Sequence, residues 1–297
     1  MSRSARSTRS RLALAAASAL AVTALAACGS ASSTTTAPAA AGTGTAEADA
    51  CAPASLTLVT PGTLTVGTDT PAYEPWFSGD DPSNGKGYES AVAYAIADQL
   101  GFAKGDVAWT DVPFNTAISP APKSFDLDLN QISISEDRRK AVDFSSGYYD
   151  VRQAVVTYKG SPIDGKTSVA DLAGAKLAAQ VGTTSYTAIT DQIKPSQDPA
   201  VFDTNDLAVQ SLKNKQIDGI VVDVPTAFYM VAAQLDDGVI VGQLPQTGSP
   251  EQFGAVLDKG SALTPCITKA VDALRADGTL EKLQQEYLAN AGAPELK

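Results

Sequence analysis

Between Leu64 and Leu288, short apolar runs alternate with amphipathic stretches, and this alternation confines the chain to the α/β class with largely parallel sheets. LTVGT at 64–68 reads as a strand. Gly87-Tyr88-Glu89-Ser90 opens a helix in which Val92, Ile96 and Leu100 recur at spacing four until Gly101 closes it. Val107–Val112 is a second strand, and Pro113 leads into a short helix. The run Phe125–Phe144, FDLDLNQISISEDRRKAVDF, begins strand-like through Leu127, Leu129, Ile132 and Ile134. It then passes a polar turn into a helix start with acids in its first turn. Tyr148–Lys159 reads as a long strand leaving one sheet. Lys176–Val181 and Ile217–Asp223 are strands, the second a buried parallel one. Helices are expected from Gly182 through Ile193, from Asn205-Asp206 with Leu207 and Leu212 apolar, and after Val224-Pro225 through Leu235. Phe253–Leu257 returns as a strand, and Leu263–Leu288 gives two helices split at Asp277-Gly278.

The residues before this pattern belong to a different regime. Arg3, Arg6, Arg9 and Arg11 precede an uncharged Ala/Leu-rich run, Leu12–Ala27, the form of an export signal over residues 1–27 rather than of a membrane span. Leu25-Ala26-Ala27-Cys28-Gly29 resembles a bacterial lipobox, which implies cleavage before Cys28 and lipidation of that cysteine. The alternative is ordinary cleavage near Ala27 and a free secreted protein. Gly29–Ala50 is almost purely Ser, Thr, Ala, Gly and Pro, a composition that cannot bury enough apolar surface to fold. Residues 28–58 therefore read as a flexible tether, with a root-mean-square reach of about 25 Å over the low-complexity part.

Without the four signal arginines, the formal charge moves from −11 to −15, which excludes nucleic acid as a partner. With Cys28 lipidated, Cys51 and Cys266 remain as an even pair in an oxidising compartment; a disulfide is expected, two buried thiols being the alternative. Histidine is absent from all 297 residues, so His-dependent nucleophilic triads and His metal sites are excluded, and no calcium-loop pattern occurs. Neither metal nor cofactor is expected, and binding is favoured over catalysis.

Candidate binding residues fall where strands end, the position at which open α/β sheets bind ligands. Arg138, beside Asn130, Gln131, Ser133 and Ser135, offers a planar cation among small hydrogen-bonding groups, as carboxylate recognition requires; a surface arginine is the competing reading. Tyr73, Trp76 and Phe77 follow the first strand; core packing fits Trp76 or Phe77, whereas for Tyr73, beside two prolines, stacking on a ligand competes with it. Gly182-Thr183-Thr184-Ser185 is either a plain cap or an anion-friendly helix start. Asp223 ends a buried strand, as a cap or as the partner of a cation.

The order of these segments resembles the amino-acid-type solute-binding proteins of ABC importers (solute-binding protein family 3), in a lipoprotein form. The resemblance rests on GTLTVGTD at 62–69, the Tyr73/Pro75 loop and Gly87-Tyr88-Glu89. It continues with ISISEDR at 132–138 leading to VDFSSGYY at 142–149, DLAGAKLAAQVGTTS at 171–185, IDGIVVD at 217–223 and DGTLEKLQQEYL at 277–288. It implies a two-lobed, Venus-flytrap fold joined by two crossing strands, with one lobe at 59–151 plus 246–290, the other at 152–245, and a tail at 291–297. It further implies that Arg138 takes a ligand carboxylate with Ser133, the backbone near Asn130 and Gln131, and Thr184 and Ser185 of the other lobe. Asp223 would take the α-ammonium, Tyr73 would cover the side chain with Phe114 or Trp76 opposite, and Asp69 would meet its head group. The implied protein is a monomeric, lipid-anchored receptor on the extracytoplasmic face, passing a free amino acid or similar zwitterion to a permease driven by an ATPase. A sensory lipoprotein or a dehydratase-like enzyme on the same fold are the other readings. Asn130-Gln131 departs from the small residues usual there, and Pro120–Lys123 adds an irregular loop. Asp69 and Glu74 tilt the ligand towards neutral polar or cationic amino acids.

Overall fold

A computed structural model describes residues 50–288 and 292–297; the expected signal, Cys28 and most of the tether lie outside the described residues. In chain order the first elements are β1 (Leu64–Thr68), α1 (Tyr88–Gln99), β2 (Val107–Asp111), α2 (Phe114–Ala117), β3 (Leu127–Asp128) and β4 (Asp143–Val151). There follow β5 (Gln153–Tyr158), β6 (Leu177–Gln180), α3 (Thr184–Ala188), β7 (Ala200–Phe202), α4 (Asn205–Lys213), β8 (Gly219–Asp223), α5 (Val224–Tyr229) and β9 (Gly238–Gln243). The last are β10 (Glu251–Leu257), α6 (Thr264–Ala276) and α7 (Thr279–Leu288). They build two five-stranded sheets, β2-β1-β3-β10-β4 and β7-β6-β8-β5-β9. In each sheet three strands run parallel, and the strands that carry the chain between lobes pair antiparallel beside them.

The sheets exchange chain at three places. The run read as one long strand is two: β4 ends at Val151, Arg152 alone intervenes, and β5 enters the other sheet at Gln153. The return runs from β9 to β10 through 244–250. The third place is the C-terminal segment, set apart above as a tail. Leu296 is buried in the second lobe beside Val241 and Leu244, and the Gln243 and Leu296 amides bond to the Pro294 and Gln243 carbonyls, each at 2.9 Å. Arg152 donates both to the Leu244 carbonyl and to Glu295, so all three links meet at this one guanidinium. Since Leu280 and Leu288 of α7 pack in the first lobe, the C-terminal residues are a third strap across the hinge.

Local chemistry explains where elements start and stop. Gly87 before α1 has φ +90°, and a Cβ there would meet the Trp76 carbonyl at 2.5 Å, so only glycine lets the loop lie against the helix start. The alternation after Phe125 does not make one strand. β3 pairs over two residues, Gln131 turns the chain with φ +49°, and Ser133 regains a lone bridge to Phe253. The helix expected after Ser135 shrinks to a single tight turn, Arg138–Lys140, because the chain must enter β4 at Asp143. In α4 the cap is Thr204 rather than Asn205-Asp206, and of the two apolar residues Leu207 is 44% exposed while Leu212 is fully buried. Five residues apart on a helix, the two cannot share a face. Cys51 and Cys266 form a disulfide (S–S 2.05 Å) that ties the start of the folded region to α6. No helix among the described residues is long and apolar enough to cross a membrane.

Candidate functional site

The carboxyl ends of β1, β3, β6 and β8 face each other across a cleft between the lobes. Asp69, Tyr73, Phe114, Asn130, Gln131 and Arg138 line it from the first lobe, and Thr184, Ser185 and Asp223 from the second. Two expected members are elsewhere. Trp76 is fully buried, in edge contact with Tyr88, Tyr149 and Phe253 at ring distances of 5.4–6.0 Å; its indole Nε1 donates to Thr226 at 3.3 Å. It is a core residue because the loop after β1 folds back under α1. Ser133 lies behind the cleft wall, its hydroxyl within 3.3 Å of Thr184 Oγ1 and donating to Glu251.

The lobes are shut onto each other. Arg138 Nη2 donates to the Gly182 carbonyl at 2.9 Å across the cleft, Nη1 donates to Ser133 O, and its guanidinium lies 5.4 Å from the Phe114 ring centre. Tyr73 and Tyr229 meet from opposite lobes at 6.1 Å. Burial lowers the Arg138 pKa, while Glu251 and Asp223 act to raise it. Burial, then the nearby Glu251, push Asp223 well above the usual carboxylate range, against a bond from Gln153 and the pull of Arg138. A cation and an acid thus line one cleft, electrostatically linked but with no direct bond between them. At the cleft mouth Asp69 accepts from the Thr70 and Phe114 amides at 2.8 and 3.1 Å, and burial raises its pKa.

Residues outside the sequence reading complete the wall. Gln180, Thr183, Asn205, Val222 and Thr226 also line the cleft. The strand-end rule was sufficient to find Gln180, the last residue of β6; Asn205 was legible only as a helix start. Behind them, Gln153 spans the hinge. Its Nε2 donates to Asp223 at 2.7 Å and to Glu251 at 3.4 Å, and its Oε1 accepts from Ser185 at 2.7 Å. Asp223, Gln153, Glu251 and Ser133 therefore form one hydrogen-bonded path from lobe to lobe through both crossing strands. Nothing local marks Gln153 or Glu251, since only the fold brings them together. Among the described residues, no group of three or more acids and cysteines is placed to hold a metal ion.

Glu89, fully buried on α1, fixes the turn beneath the cleft. It accepts bonds from the Gln131 amide at 2.8 Å, from the Gln131 carboxamide and from the Tyr148 hydroxyl. These bonds hold Gln131 in a left-handed conformation that costs a non-glycine residue about 1–2 kcal/mol, and they turn its side chain back towards α1. Burial raises Glu89 from 4.5 to about 7, against the three hydrogen bonds. Because the folded value lies above the unfolded one, Glu89's contribution to stability is greatest below pH 4.5 and is lost as pH rises to about 7. The full shift corresponds to about 3 kcal/mol. Asp128, also buried and raised, acts in the same sense. Glu89→Gln is expected to flatten the fall in urea midpoint between pH 5 and 7.5; a wild-type slope in that variant would refute the assignment.

Comparison with known proteins agrees with this architecture. The chain is 30% identical over 229 residues to a probable histidine-binding protein of Campylobacter jejuni, covering 76% of this chain and 84% of that protein. It is 30% identical over 232 residues to the L-cystine-binding protein TcyJ of Escherichia coli, covering 76% and 82%. A solved ancestral arginine-binding protein bound to arginine superposes with a TM-score of 0.62 at 32% identity, covering 76% of this chain and 98% of that one. The fold is the two-lobed one of periplasmic amino-acid-binding proteins. With the family model matching residues 64–290, the chain belongs to the bacterial extracellular solute-binding proteins, family 3.

Proposed function

We propose that this protein is a lipid-anchored extracytoplasmic receptor that clamps a polar amino acid between its lobes and delivers it to the permease of an ABC importer. The carrying observation is the pair Arg138 and Asp223. They stand on different lobes, enclosed in one cleft and electrostatically coupled, yet are joined only through other groups. One zwitterion satisfies both when the lobes close, and ligand binding then shifts an open–closed equilibrium towards the closed form. In this reading Arg138 takes the α-carboxylate with Thr184, Asp223 takes the ammonium, and Tyr73 and Phe114 enclose the side chain. The relatives that bind histidine, cystine and arginine support a polar ligand.

The remaining assignments belong to the same reading. Residues 1–27 are the export signal, Cys28 carries the lipid, and 28–58 tether lobes at 59–151 plus 246–290 and 152–245. The protein works as a monomer, in partnership with a permease and its ATPase, and the cleft binds and releases its ligand without transforming it.

A thermal-shift screen of the twenty amino acids, cystine and polyamines tests the reading, because a ligand that binds only the folded state raises the melting temperature. At least one polar amino acid should do so; a flat screen would remove the receptor assignment.

A further inference from the structure

Two residues that line this cleft each carry an enclosed side-chain atom with no hydrogen-bond partner among the described residues. Asn130, more than nine-tenths buried at the end of β3, has an enclosed Nδ2 that donates to nothing. Asn205, at the start of α4 in the other lobe, has an enclosed Oδ1 that accepts from nothing. Both residues line the cleft. The other enclosed, unpartnered atoms among the described residues, on Asp128, Arg152 and Gln192, do not line it. A buried polar atom left without a partner is disfavoured, and the exceptions in a folded protein call for an explanation. Here the two exceptions are complementary: a donor on one lobe and an acceptor on the other, brought into one space by closure.

We infer that Asn130 and Asn205 determine specificity, Asn130 by donating to an acceptor and Asn205 by accepting from a donor on the ligand's side chain. The inference rests on the receptor reading above and narrows its ligand class. The α-carboxylate and α-ammonium are matched by Arg138 and Asp223, so the side chain must supply a further acceptor and a further N–H donor. Carboxamide and ureido side chains do this, as does the second amino-acid head of cystine. Lysine supplies a donor only, glutamate an acceptor only, and norleucine neither. Asp69 on the cleft wall adds a second acceptor for the donor end and opposes glutamate further. The arrangement also gives Asn130-Gln131 separate roles. Gln131 is tied back to Glu89, which leaves Asn130 as the member of the pair whose amide nitrogen is unpartnered and open to a ligand acceptor.

The test is titration calorimetry on the full folded protein with glutamine, citrulline, cystine, lysine, glutamate and norleucine. At least one of the first three should bind about tenfold or more tightly than each of the last three, the scale set by leaving one buried polar group unpaired. Asn130→Ala and Asn205→Leu should each erase that preference, whereas Asn205→Asp, which keeps an acceptor, should retain it. Asn130→Asp, nearly isosteric, should lose it as Asn130→Ala does, which separates loss of the donor from loss of volume. Unliganded melting curves identify any variant that fails to fold. If the wild type binds amino acids but ranks lysine, glutamate or norleucine with or above glutamine, citrulline and cystine, or binds others of the twenty and none of these six, or if Asn130→Ala and Asn205→Leu keep the wild-type ranking, this inference falls and the receptor reading stands. If the wild type binds none of the six and none of the twenty amino acids, both fall together.

Discussion

Arg138→Ala is expected to weaken amino-acid binding by at least a hundredfold and to erase the ligand-induced rise in melting temperature. Two charge-assisted bonds from the guanidinium to a carboxylate are each worth about 1.5–3 kcal/mol, and no other cation among the described residues lines the cleft. The same substitution removes the bonds to Ser133 O and Gly182 O, so the empty protein should also open more readily. Arg138→Lys separates these effects. It keeps a charge but cannot reach two oxygens in one plane, and it should recover only a minor part of the affinity. Circular dichroism should report a folded protein in both variants, because Arg138 lies on a short turn outside the sheets. An undiminished thermal shift in Arg138→Ala would overturn the assignment of the carboxylate to this residue.

The ends of the parallel strands are what the sequence displays most openly. LTVGT and IDGIVVD are short apolar runs whose ends lead into the cleft, so Asp223 was legible by position as either a cap or the partner of a cation, whereas Asp69 was named through the family resemblance. Arg138 was legible as a cation among small polar residues, and Cys51 with Cys266 as an even pair. What stayed hidden depends on long-range closure. Trp76 read locally as a core ring and was set against the ligand only by the resemblance; the fold of the loop under α1 keeps it in the core and leaves Tyr73 in the cleft. Gln153 and Glu251 are 98 positions apart and become neighbours because the two crossing strands lie side by side at the hinge. The C-terminal strap is illegible for a related reason. Its residues have no periodicity, and Leu296 finds its partners, Val241 and Leu244, only on the edge of a completed second sheet.

Asp223→Asn is the second large expected effect, and it can be read as a pH dependence as well as a loss of affinity. In the closed cleft without a ligand, burial and then the nearby Glu251 hold Asp223 well above its usual range, so there it keeps its proton to a higher pH than an exposed carboxylate. A ligand ammonium stabilises the ionised form, and binding must therefore release that proton whenever the pH lies below the raised value. Affinity should accordingly fall as pH is lowered, approaching tenfold per unit once Asp223 is protonated in the empty protein and ionised in the complex. Above the raised value this dependence disappears. Asn at 223 can still accept a bond from Gln153 but supplies no charge, so it should cost about tenfold or more at neutral pH and remove Asp223's part of the slope. Isothermal titration in two buffers of different ionisation enthalpy measures the proton release directly. A variant that keeps both the wild-type affinity and the wild-type proton release would place the ammonium elsewhere, and Glu251, one hydrogen bond from Gln153, would be the acid to examine next.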